Sequence, residues 1–369
     1  MMRTNNVLGI LYSNSYDEAL PELTSLRTMG SVPFGGRYRM IDFALSSMVR
    51  AGLAKVGVIT KTNYRSLMDH LGMGKSWDLA RKHEGLIFLP PYVGAGAGGN
   101  QTRMEGLWSA LEFLRNSREE LVIMSDCNAV CNLDYRMLLD AHRGSGADIT
   151  IACRRGAAPG LRSVRLALDE NCRAGSLCVS DEPDPDTLYS LNIFVLRREL
   201  LERLAREANS QSLNDYEILQ RNVKNLDIRG LEIAGYARVI DCLQSYYDAH
   251  MELLRPEVRR ALFHPARPVL TKVQDDMPAI YGLHSKASNC LVADGCQIKG
   301  EAENSVLFRG VTIEEGARVR NCVLMQGTHI SAGANLECVI SDKAVEIKPG
   351  KTIIGVADYP IYLGKRIVV

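Results

Sequence analysis

The stretch 11-LYSNSYDEAL-20 connects an apolar run, 7-VLGIL-11, to the following helical region. Nucleotide-binding α/β proteins place a glycine-rich loop at such a connection, because glycine lets backbone N–H groups approach phosphates closely. This connection contains no glycine and carries two acids, Asp17 and Glu18. A carboxylate about 4 Å from a phosphate charge is repelled by roughly 4 kcal/mol at an effective dielectric near 20. The connection is therefore predicted to bind phosphate poorly.

Asp126 ends the apolar run 121-LVIMSD-126. Open α/β sheets bind ligands at the carboxyl ends of their strands, so this acid is a candidate functional residue. The alternative is a polar residue that caps a strand end or holds a neighbouring loop. Magnesium usually relies on substrate phosphates as well as carboxylates, so a site without phosphate partners favours this alternative.

Short apolar runs alternate with amphipathic helical patterns over the first two thirds of the chain. The predicted strands are 7-VLGIL-11, 56-VGVIT-60, 86-LIFL-89, 121-LVIMSD-126, 149-ITIAC-153, 164-VRLAL-168 and 193-IFVL-196. The predicted helices are 40–52, 64–72, 104–117, 135–144, 197–209 and 243–254. Helices between the earlier strands indicate a Rossmann-like α/β domain with a mostly parallel sheet covered on both faces. We expect this domain to span residues 1–255.

A change in residue pattern predicts a second domain. Residues 256–285 are rich in proline, which discourages helix and central strand, and are predicted to form a linker. From about residue 286, aliphatic residues recur six apart: Val292 and Ile298; Ile313 and Val319; Leu324, Ile330 and Leu336; Ile347 and Ile353. Glycine follows three residues later at Gly295, Gly316, Gly327, Gly333 and Gly350. This spacing predicts a left-handed parallel β-helix over 286–369, whereas simple strand alternation in an antiparallel sheet would not give a fixed offset of six.

Composition narrows the classes of function. A chain of 369 residues with 46% hydrophobic and 24% charged residues is typical of a globular protein of two domains. The net charge of +1 gives no electrostatic reason to expect nucleic acid or an anionic membrane as a partner. No apolar run approaches the length that crosses a bilayer, and no signal peptide is recognised. The ten cysteines form no C-x-x-C pair, which favours buried thiols in a reducing cytoplasm.

The segment 33-PFGGRYRMIDFALS-46, the α/β domain around it and the β-helix after it together resemble the bacterial ADP-glucose pyrophosphorylases. These enzymes, the glucose-1-phosphate adenylyltransferases, make ADP-glucose for glycogen from ATP and glucose 1-phosphate. The resemblance covers nearly the whole chain. It implies a nucleotidyltransferase domain, a C-terminal β-helix and a tetramer.

The catalytic groups of the family are replaced in this sequence. Its glycine-rich GG-x-GTRL loop matches 12-YSNSYDEAL-20, which has lost every glycine and the arginine. The lysine of its R-A-K-P-A-V motif matches Met29, so no catalytic residue is carried over. Removing one preorganised charge-stabilising group costs roughly 2.7–4 kcal/mol, so the combined losses predict little or no activity.

The substrate-binding positions are vestigial. In the family's Y-R-G-T-A-D-A motif, which matches 104-MEGLWSA-110, only the glycine and the last alanine remain. The lysine of its E-K-P motif, which holds the sugar phosphate, is replaced by an acid, and its S-M-G motif becomes 190-SLN-192. The vestigial positions are Gly106, Glu182, Ser190 and Asn192.

Two acids match magnesium ligands of the relatives. Asp126 corresponds to the acid of the family's G-D-H motif, and Asp241 to that of R-D-V-G-T. Magnesium serves the active relatives, whereas no tightly bound cofactor is expected in this chain. Both acids are therefore vestigial candidates for a metal site.

Three arginines, Arg27, Arg37 and Arg39, are candidates for binding an effector. In the relatives, phosphorylated sugars bind basic residues between the two domains, and Arg27 matches an arginine that they retain. Because Arg37 and Arg39 alternate in 36-GRYRM-40, the three are not all expected to face one pocket. Pairing with acids such as Asp42, or exposure to solvent, is the alternative.

Within the family the chain resembles the GlgD type of subunit, which accompanies the catalytic subunit in several Gram-positive bacteria. The resemblance implies a regulatory subunit that joins the catalytic subunit in a heterotetramer and alters its activity and effector response. One alternative is an active sugar-phosphate nucleotidyltransferase with an unusual phosphate loop. Another is a hexapeptide-repeat acyltransferase that uses His329, although a single histidine on a repeat coil is more often a surface residue.

Overall fold

The structure is a computed structural model that describes residues 6–14, 16–81, 84–90, 102–156, 163–180, 186–211 and 213–369. Over these ranges an α/β domain is followed by a parallel β-helix, so the predicted fold class is confirmed. None of the helices within these ranges is long and apolar enough to cross a membrane.

The α/β domain is built from short elements. Its strands are β1 (Val7–Tyr12), β2 (Pro33–Phe34), β3 (Tyr38–Arg39), β4 (Lys55–Ile59), β5 (Gly85–Leu89), β6 (Leu121–Asp126), β7 (Ala129–Cys131), β8 (Ile149–Arg155), β9 (Ser163–Leu168), β10 (Ala174–Ser180), β11 (Leu188–Arg197), β12 (Ile228–Glu232) and β13 (Ala237–Val239). Its helices are α1 (Pro21–Thr24), α2 (Met40–Arg50), α3 (Arg65–Leu71), α4 (Arg103–Ser109), α5 (Leu111–Arg115), α6 (Tyr135–Ser145), α7 (Arg198–Gln211), α8 (Asp215–Asn222), α9 (Leu243–Glu252) and α10 (Pro256–Leu262).

The main sheet has the strand order β10-β9-β11-β6-β1-β4-β5, and β8 pairs with both β11 and β12. The pairs β6–β1, β1–β4 and β4–β5 are parallel, as the helical crossovers predict. Strands β9, β10 and β11 add an antiparallel part. In the parallel part, Tyr12 at the end of β1 is the register partner of Asp126 at the end of β6. The sheet therefore brings the 12–20 connection and Asp126 to the same edge.

Apolar clusters cover both faces of this sheet. All six residues of β1 are buried, because alternate side chains pack into clusters on opposite faces: Val7 and Leu11 into one, Leu8 and Ile10 into the other. A strand buried on both faces reads as continuously apolar, which is why β1 and β6 were recognisable from the sequence. This core fixes the edge at which the two strands end.

Two details differ from the sequence-based expectations. The helix predicted at 104–117 is two helices, α4 and α5, separated at Ala110. The predicted linker, 256–285, contains α10, which begins at Pro256. Proline is tolerated at the first position of a helix, where its missing N–H would have no intrahelical partner.

The β-helix consists of three five-stranded parallel sheets. Its strands are β14 (Ile280–Tyr281), β15 (Lys286–Ser288), β16 (Leu291–Val292), β17 (Gln297–Ile298), β18 (Glu301–Glu303), β19 (Val306–Leu307), β20 (Thr312–Ile313), β21 (Arg318–Arg320), β22 (Val323–Leu324), β23 (His329–Ile330), β24 (Asn335–Glu337), β25 (Val339–Ser341), β26 (Glu346–Ile347), β27 (Thr352–Ile354) and β28 (Ile361–Leu363). Ile298, Ile313, Ile330 and Ile347 are register partners in successive coils, and all four are buried. The six-residue spacing thus places aliphatic side chains inside the coil. Its corners use positive φ, for example at Gly316 and Gly333.

The two domains share an apolar cluster. Phe34, Phe43 and Tyr246 of the α/β domain pack in it with Phe308 and Met325 of the β-helix. The β-helix is therefore held against the α/β domain by a buried interface.

Candidate functional site

The connection after β1 is filled by its own side chains. Ser13 Oγ donates a hydrogen bond to the Ile59 carbonyl at 2.9 Å. Asn14 Nδ2 donates to Asp17 Oδ2 at 2.7 Å, and Asn14 Oδ1 accepts from the Lys61 N–H at 2.7 Å. In a phosphate loop such groups would be left for the ligand, whereas here they bond to one another.

The Asp17 carboxylate accepts a hydrogen bond from a backbone amide. The Met29 N–H donates to Asp17 Oδ1 at 2.8 Å. Burial raises the pKa of Asp17 to about 6, although hydrogen bonds from Asn14 and Met29 act in the opposite direction. Met29 itself, the counterpart of the family's lysine, is fully buried in the apolar cluster between the domains.

Gly106 lies against Tyr12 and Ile59. A Cβ atom at Gly106 would approach Tyr12 Cε2 to 2.9 Å and Ile59 Cγ2 to 3.0 Å. The packing of α4 on the sheet therefore requires glycine here even without a substrate.

Ser190 and Asn192 lie together at an irregularity in β11. The Asn192 N–H donates to Ser190 Oγ at 3.0 Å, and Asn192 has a positive φ of 56°. Asn192 Nδ2 donates to the Tyr16 hydroxyl at 3.1 Å, so the substituted loop reaches these vestigial residues. Glu182, the remaining vestigial position, lies outside the described residues.

Asp126 is paired with an arginine. Arg103 Nη1 lies 3.2 Å from Asp126 Oδ2, with 11% of the arginine side chain exposed and none of the aspartate side chain. The Arg103 guanidinium also lies 5.9 Å from the centre of the Phe194 ring. The carboxylate at the end of β6 is thus balanced by a cation of the same chain.

Asp241 lies after β13, close to the loop that follows Asp126. The Ile240 N–H donates to the Asn128 carbonyl at 2.8 Å, which brings the two segments together. Among the described residues, no hydrogen-bond partner is found for buried Asp241 Oδ1 or for the side-chain amide of Asn128. Burial raises the pKa of Asp241, against hydrogen bonding to Ser245.

These residues do not fit a magnesium ion. Over the described ranges, no group of three or more His, Cys, Asp or Glu side chains is arranged to hold a metal. Two unit charges 4 Å apart interact by about 4 kcal/mol at an effective dielectric near 20, so a divalent ion beside Arg103 would be repelled by roughly twice that.

Arg27 is committed to the interface between the domains. Its Nη2 atom donates to Asp342 Oδ1 and Oδ2 at 2.8 and 2.7 Å, and both side chains are almost fully buried. Asp342 also accepts from the Lys343 N–H and from the Tyr362 hydroxyl. Arg27 therefore joins the domains by pairing with an acid, which was the alternative to its candidate role in binding an effector.

A basic cleft with a cavity volume of about 50 Å³ lies between the domains. The α/β domain, the segment after α10 and the β-helix all contribute to its walls, and none of the lining side chains is acidic. The lining residues are Pro33, Gly36, Arg37, Tyr38, Arg39, His70, Lys272, Gln274, Phe308, Arg309, Gln326 and Lys343.

Arg37 and Arg39 differ in their surroundings within this cleft, which we call the interdomain cleft. Arg37 is exposed and lies 5.8 Å from the centre of the Tyr38 ring. Arg39 Nη1 donates to Ser66, and burial lowers the Arg39 pKa to about 10. Its backbone N–H donates to Asp42, whose other oxygen lies 2.6 Å from His70 Nε2.

The β-helix contributes two further cations. Burial, together with nearby Arg39 and Arg27, lowers the pKa of Lys343 to about 8. Arg309 lies 3.6 Å from Asp276, and no hydrogen-bond partner is found for its buried Nη2 atom among the described residues. The cations of the cleft therefore lie close enough to repel one another, and an anion would relieve that repulsion.

The glycine turn of 33-PFGG-36 forms one edge of the interdomain cleft. Gly35 and Gly36 both have positive φ, which glycine adopts at little cost. The Gly35 N–H donates to His250 Nε2 at 3.2 Å, and His250 Nδ1 lies 2.9 Å from the Tyr246 carbonyl. Complete burial lowers the pKa of His250 to about 4, so the ring stays neutral and can accept from Gly35.

Two family models match the chain in the order of the two domains. The model described as "Nucleotidyl transferase" matches residues 18–159, and the one described as "GlmU-like, C-terminal hexapeptide" matches residues 277–359.

Curated relatives match over most of their length. The chain is 35% identical to "Glycogen biosynthesis protein GlgD" of Bacillus subtilis (strain 168), covering 100% of this chain and 98% of the relative. It is 33% identical to "Glucose-1-phosphate adenylyltransferase" of Thermotoga neapolitana, covering 85% of this chain and 76% of the relative. The chain belongs to the family of GlgD proteins and glucose-1-phosphate adenylyltransferases. A GlgD protein of Geobacillus stearothermophilus is likewise 35% identical over 85% of this chain.

Family motifs located only part of the site. The motif 33-PFGGRYRMIDFALS-46 pointed to Arg37 and Arg39, which line the interdomain cleft. Sequence reasoning missed Arg103, Lys272, Arg309 and Lys343, and the resemblance to this family gave no motif for any of them. His329, considered for acyl transfer, lies 3.5 Å from Glu314 with 40% of its side chain exposed, as a surface residue would.

Proposed function

We propose that this chain is a regulatory, catalytically degenerate subunit of glucose-1-phosphate adenylyltransferase in glycogen biosynthesis. In this proposal it assembles with the catalytic subunit, which makes ADP-glucose from ATP and glucose 1-phosphate, as a heterotetramer. Its role is to alter the activity of that subunit and its response to effectors.

The filled edge of the sheet is the observation that carries this proposal. The amide of Met29 is bonded to Asp17, and Asp126 is paired with Arg103. A triphosphate and its metal would have to displace both internal partners and then meet the negative charge of Asp17. Preorganised stabilisation of charge is usually the largest single contribution to catalysis, and at this edge it is replaced by internal bonds.

The regulatory part of the proposal is supported by the interdomain cleft. Arg37, Arg39, Lys272, Arg309 and Lys343 bring cations from both domains to one opening. Charge-assisted hydrogen bonds from such groups suit phosphate oxygens. The proposed ligand is a phosphorylated sugar that contacts both domains at once.

Co-purification and a mixing assay test the subunit role. The isolated chain is expected to make no measurable ADP-glucose, while adding it to the catalytic subunit should raise the rate and shift its effector response. No complex, or no gain on mixing, would count against the proposal. Arg39→Gln should reduce the effector response, while Arg318→Gln, an exposed arginine on the β-helix, serves as the matched control.

Calorimetry with ATP and magnesium tests the alternative of an active nucleotidyltransferase. Micromolar binding by the isolated chain, lost in Asp126→Ala, would support that alternative. Binding too weak to measure, with normal assembly, would support the regulatory role.

A further inference from the structure

Asp126 and Arg103 form a buried ion pair where β6 ends, and the Arg103 Nη1 to Asp126 Oδ2 distance is 3.2 Å. A carboxylate withdrawn from water is costly unless a cation or hydrogen-bond donor accompanies it. Register pairing places this carboxylate beside Tyr12, at the start of the substituted loop. The pair therefore lies at the edge of the sheet where α/β folds receive ligands.

Helix α4 holds the arginine in place. Thr102 and Glu105 form a capping box at its start: the Glu105 N–H donates to Thr102 Oγ1, and the Thr102 N–H donates to Glu105 Oε2. Arg103 is the first helical residue, and its guanidinium lies 5.9 Å from the centre of the Phe194 ring. A cation in the first turn opposes the helix dipole, so helix energetics alone do not favour arginine at this position. The ion pair with Asp126 explains why an arginine is found at position 103.

We propose that Arg103 takes the place of a divalent cation at Asp126 and keeps metal ions away from the end of β6. The inference rests on the proposed function, in which this edge of the sheet has lost its chemistry. It concerns the isolated chain and requires no catalytic partner. In this proposal Asp126 does more than lack a metal ion, because Arg103 supplies a permanent positive charge beside it.

Binding of Mn²⁺ to the isolated chain tests this directly, with the electron paramagnetic resonance signal of free Mn²⁺ as the readout. The wild-type chain is expected to show no stoichiometric site. Arg103→Gln should bind Mn²⁺ at least about tenfold more tightly than the wild-type chain, with Asp126 as the protein ligand and water in the other positions, because the like charge beside the carboxylate has been removed. The gained site should disappear in the double variant Arg103→Gln, Asp126→Asn.

Arg115→Gln is the matched control. Arg115 lies on the adjacent helix α5, is 56% exposed and lies 3.9 Å from Glu202, so its loss should leave Mn²⁺ binding unchanged. If Arg103→Gln does not fold, as judged by circular dichroism, Arg103→Met keeps an apolar stem of similar length beside Phe194 and repeats the test.

Two results would overturn the inference. One is a stoichiometric Mn²⁺ site in the wild-type chain that Asp126→Asn removes. The other is a folded Arg103 variant that gains no site. If neither variant folds, the wild-type measurement decides alone. Mn²⁺ binding by the wild-type chain that is lost in Asp126→Asn would contradict the inference, and the absence of Mn²⁺ binding by the wild-type chain would support it. Because no catalytic subunit is present, these outcomes are separate from those of the mixing assay.

Discussion

Charged groups have different surroundings in two regions of the molecule: the edge of the sheet where β1 and β6 end, and the interdomain cleft. At the edge, Asp17 is bonded to Met29 and Asp126 to Arg103, so each charge already has an internal partner. In the cleft, burial lowers the pKa of Arg39 and, together with nearby Arg39 and Arg27, that of Lys343, and the lining contains no acid.

A charged residue that is shared with the relatives does not by itself indicate that the ligand it binds there is also bound here. Asp126 and Asp241 match magnesium ligands in the family resemblance, yet Asp126 is paired with Arg103 and burial raises the pKa of Asp241. In the cleft, Arg309 lies 3.6 Å from Asp276, and the lining residues themselves include five cations and no acid. What distinguishes the two regions is how much of the counter-charge the protein itself supplies.

The largest expected effect comes from breaking the ion pair that excludes Arg27 from the cleft. Arg27→Ala leaves Asp342 buried without its cation, which should lower the free energy of unfolding by about 3–5 kcal/mol in urea denaturation. Arg318→Ala, which removes an exposed pair, should cost at most about 1 kcal/mol. Unchanged stability with a lost effector response would instead return Arg27 to the effector site.

The pH dependence of stability tests the filled edge. The pKa of Asp17 is about 6 in the folded protein, above its ordinary value of 3.8. The proton is held more tightly in the folded state, so this contribution is fully present below pH 3.8 and is lost as the pH rises through 6. Relative to Asp17→Asn, the wild-type chain should lose about 3 kcal/mol over that range. Glu18→Gln, a change in the adjacent exposed acid, should follow the wild-type profile.

His250, which lies beneath the cleft, should make the free energy of unfolding rise with pH, opposite to the effect of Asp17. The pKa of His250 is about 4, below its ordinary value of 6.5, because the buried ring stays neutral. Its contribution is present above pH 6.5, is lost as the pH falls from 6.5 to 4, and amounts to about 3 kcal/mol. His250→Gln should remove this slope in thermal or urea unfolding. A profile identical to the wild type would show that the pKa of His250 is the same in the folded and the unfolded protein.

The affinity for a phosphorylated sugar tests the role of the interdomain cleft. Lys343→Gln should weaken calorimetric binding of a phosphorylated hexose by about tenfold, because one charge-assisted hydrogen bond is lost. Since the pKa of Lys343 is about 8, wild-type affinity should also fall as the pH rises through 8. Lys348→Gln, an exposed change on the same β-helix, is the control. Equal affinity in both variants would exclude Lys343 from the site.

The smallest expected effect concerns the contact between the substituted loop and the vestigial residues. Tyr16→Phe removes the hydroxyl that accepts a hydrogen bond from Asn192. The free energy of unfolding should fall by about 1 kcal/mol, a usual value for one hydrogen bond. A gain in ATP binding by this variant would show that the hydroxyl, more than the buried charges, keeps the nucleotide out.

The fold was largely predictable because its signals are local and periodic. The six-residue spacing, as between Ile313 and Val319 or between Leu324 and Ile330, already determines which side chains lie inside the β-helix. The break at Ala110 and the helix that starts at Pro256 were missed, because both depend on packing or on a single terminal position.

The site was less predictable because its pairings are distant in sequence. Arg27 and Asp342 are 315 residues apart, and no motif relates them. The sequence gives no reason to treat Arg27 and Arg39 differently. In the fold, Arg27 forms an ion pair between the domains, whereas Arg39 lines the cleft. Arg103 lies 23 residues before Asp126, and only the packing of α4 on the sheet brings the two together.

The buried bond between Arg27 and Asp342 has a consequence for the choice of ligand. Asp342 is followed directly by Lys343, so the bond fixes the distance between the wall that carries Lys343 and the wall that carries Arg39. The opening is then set before any molecule arrives, and it cannot narrow around a small one. An anion that enters meets Arg39 and Lys343 from opposite walls, so the spacing of its charged oxygens should matter as much as its total charge.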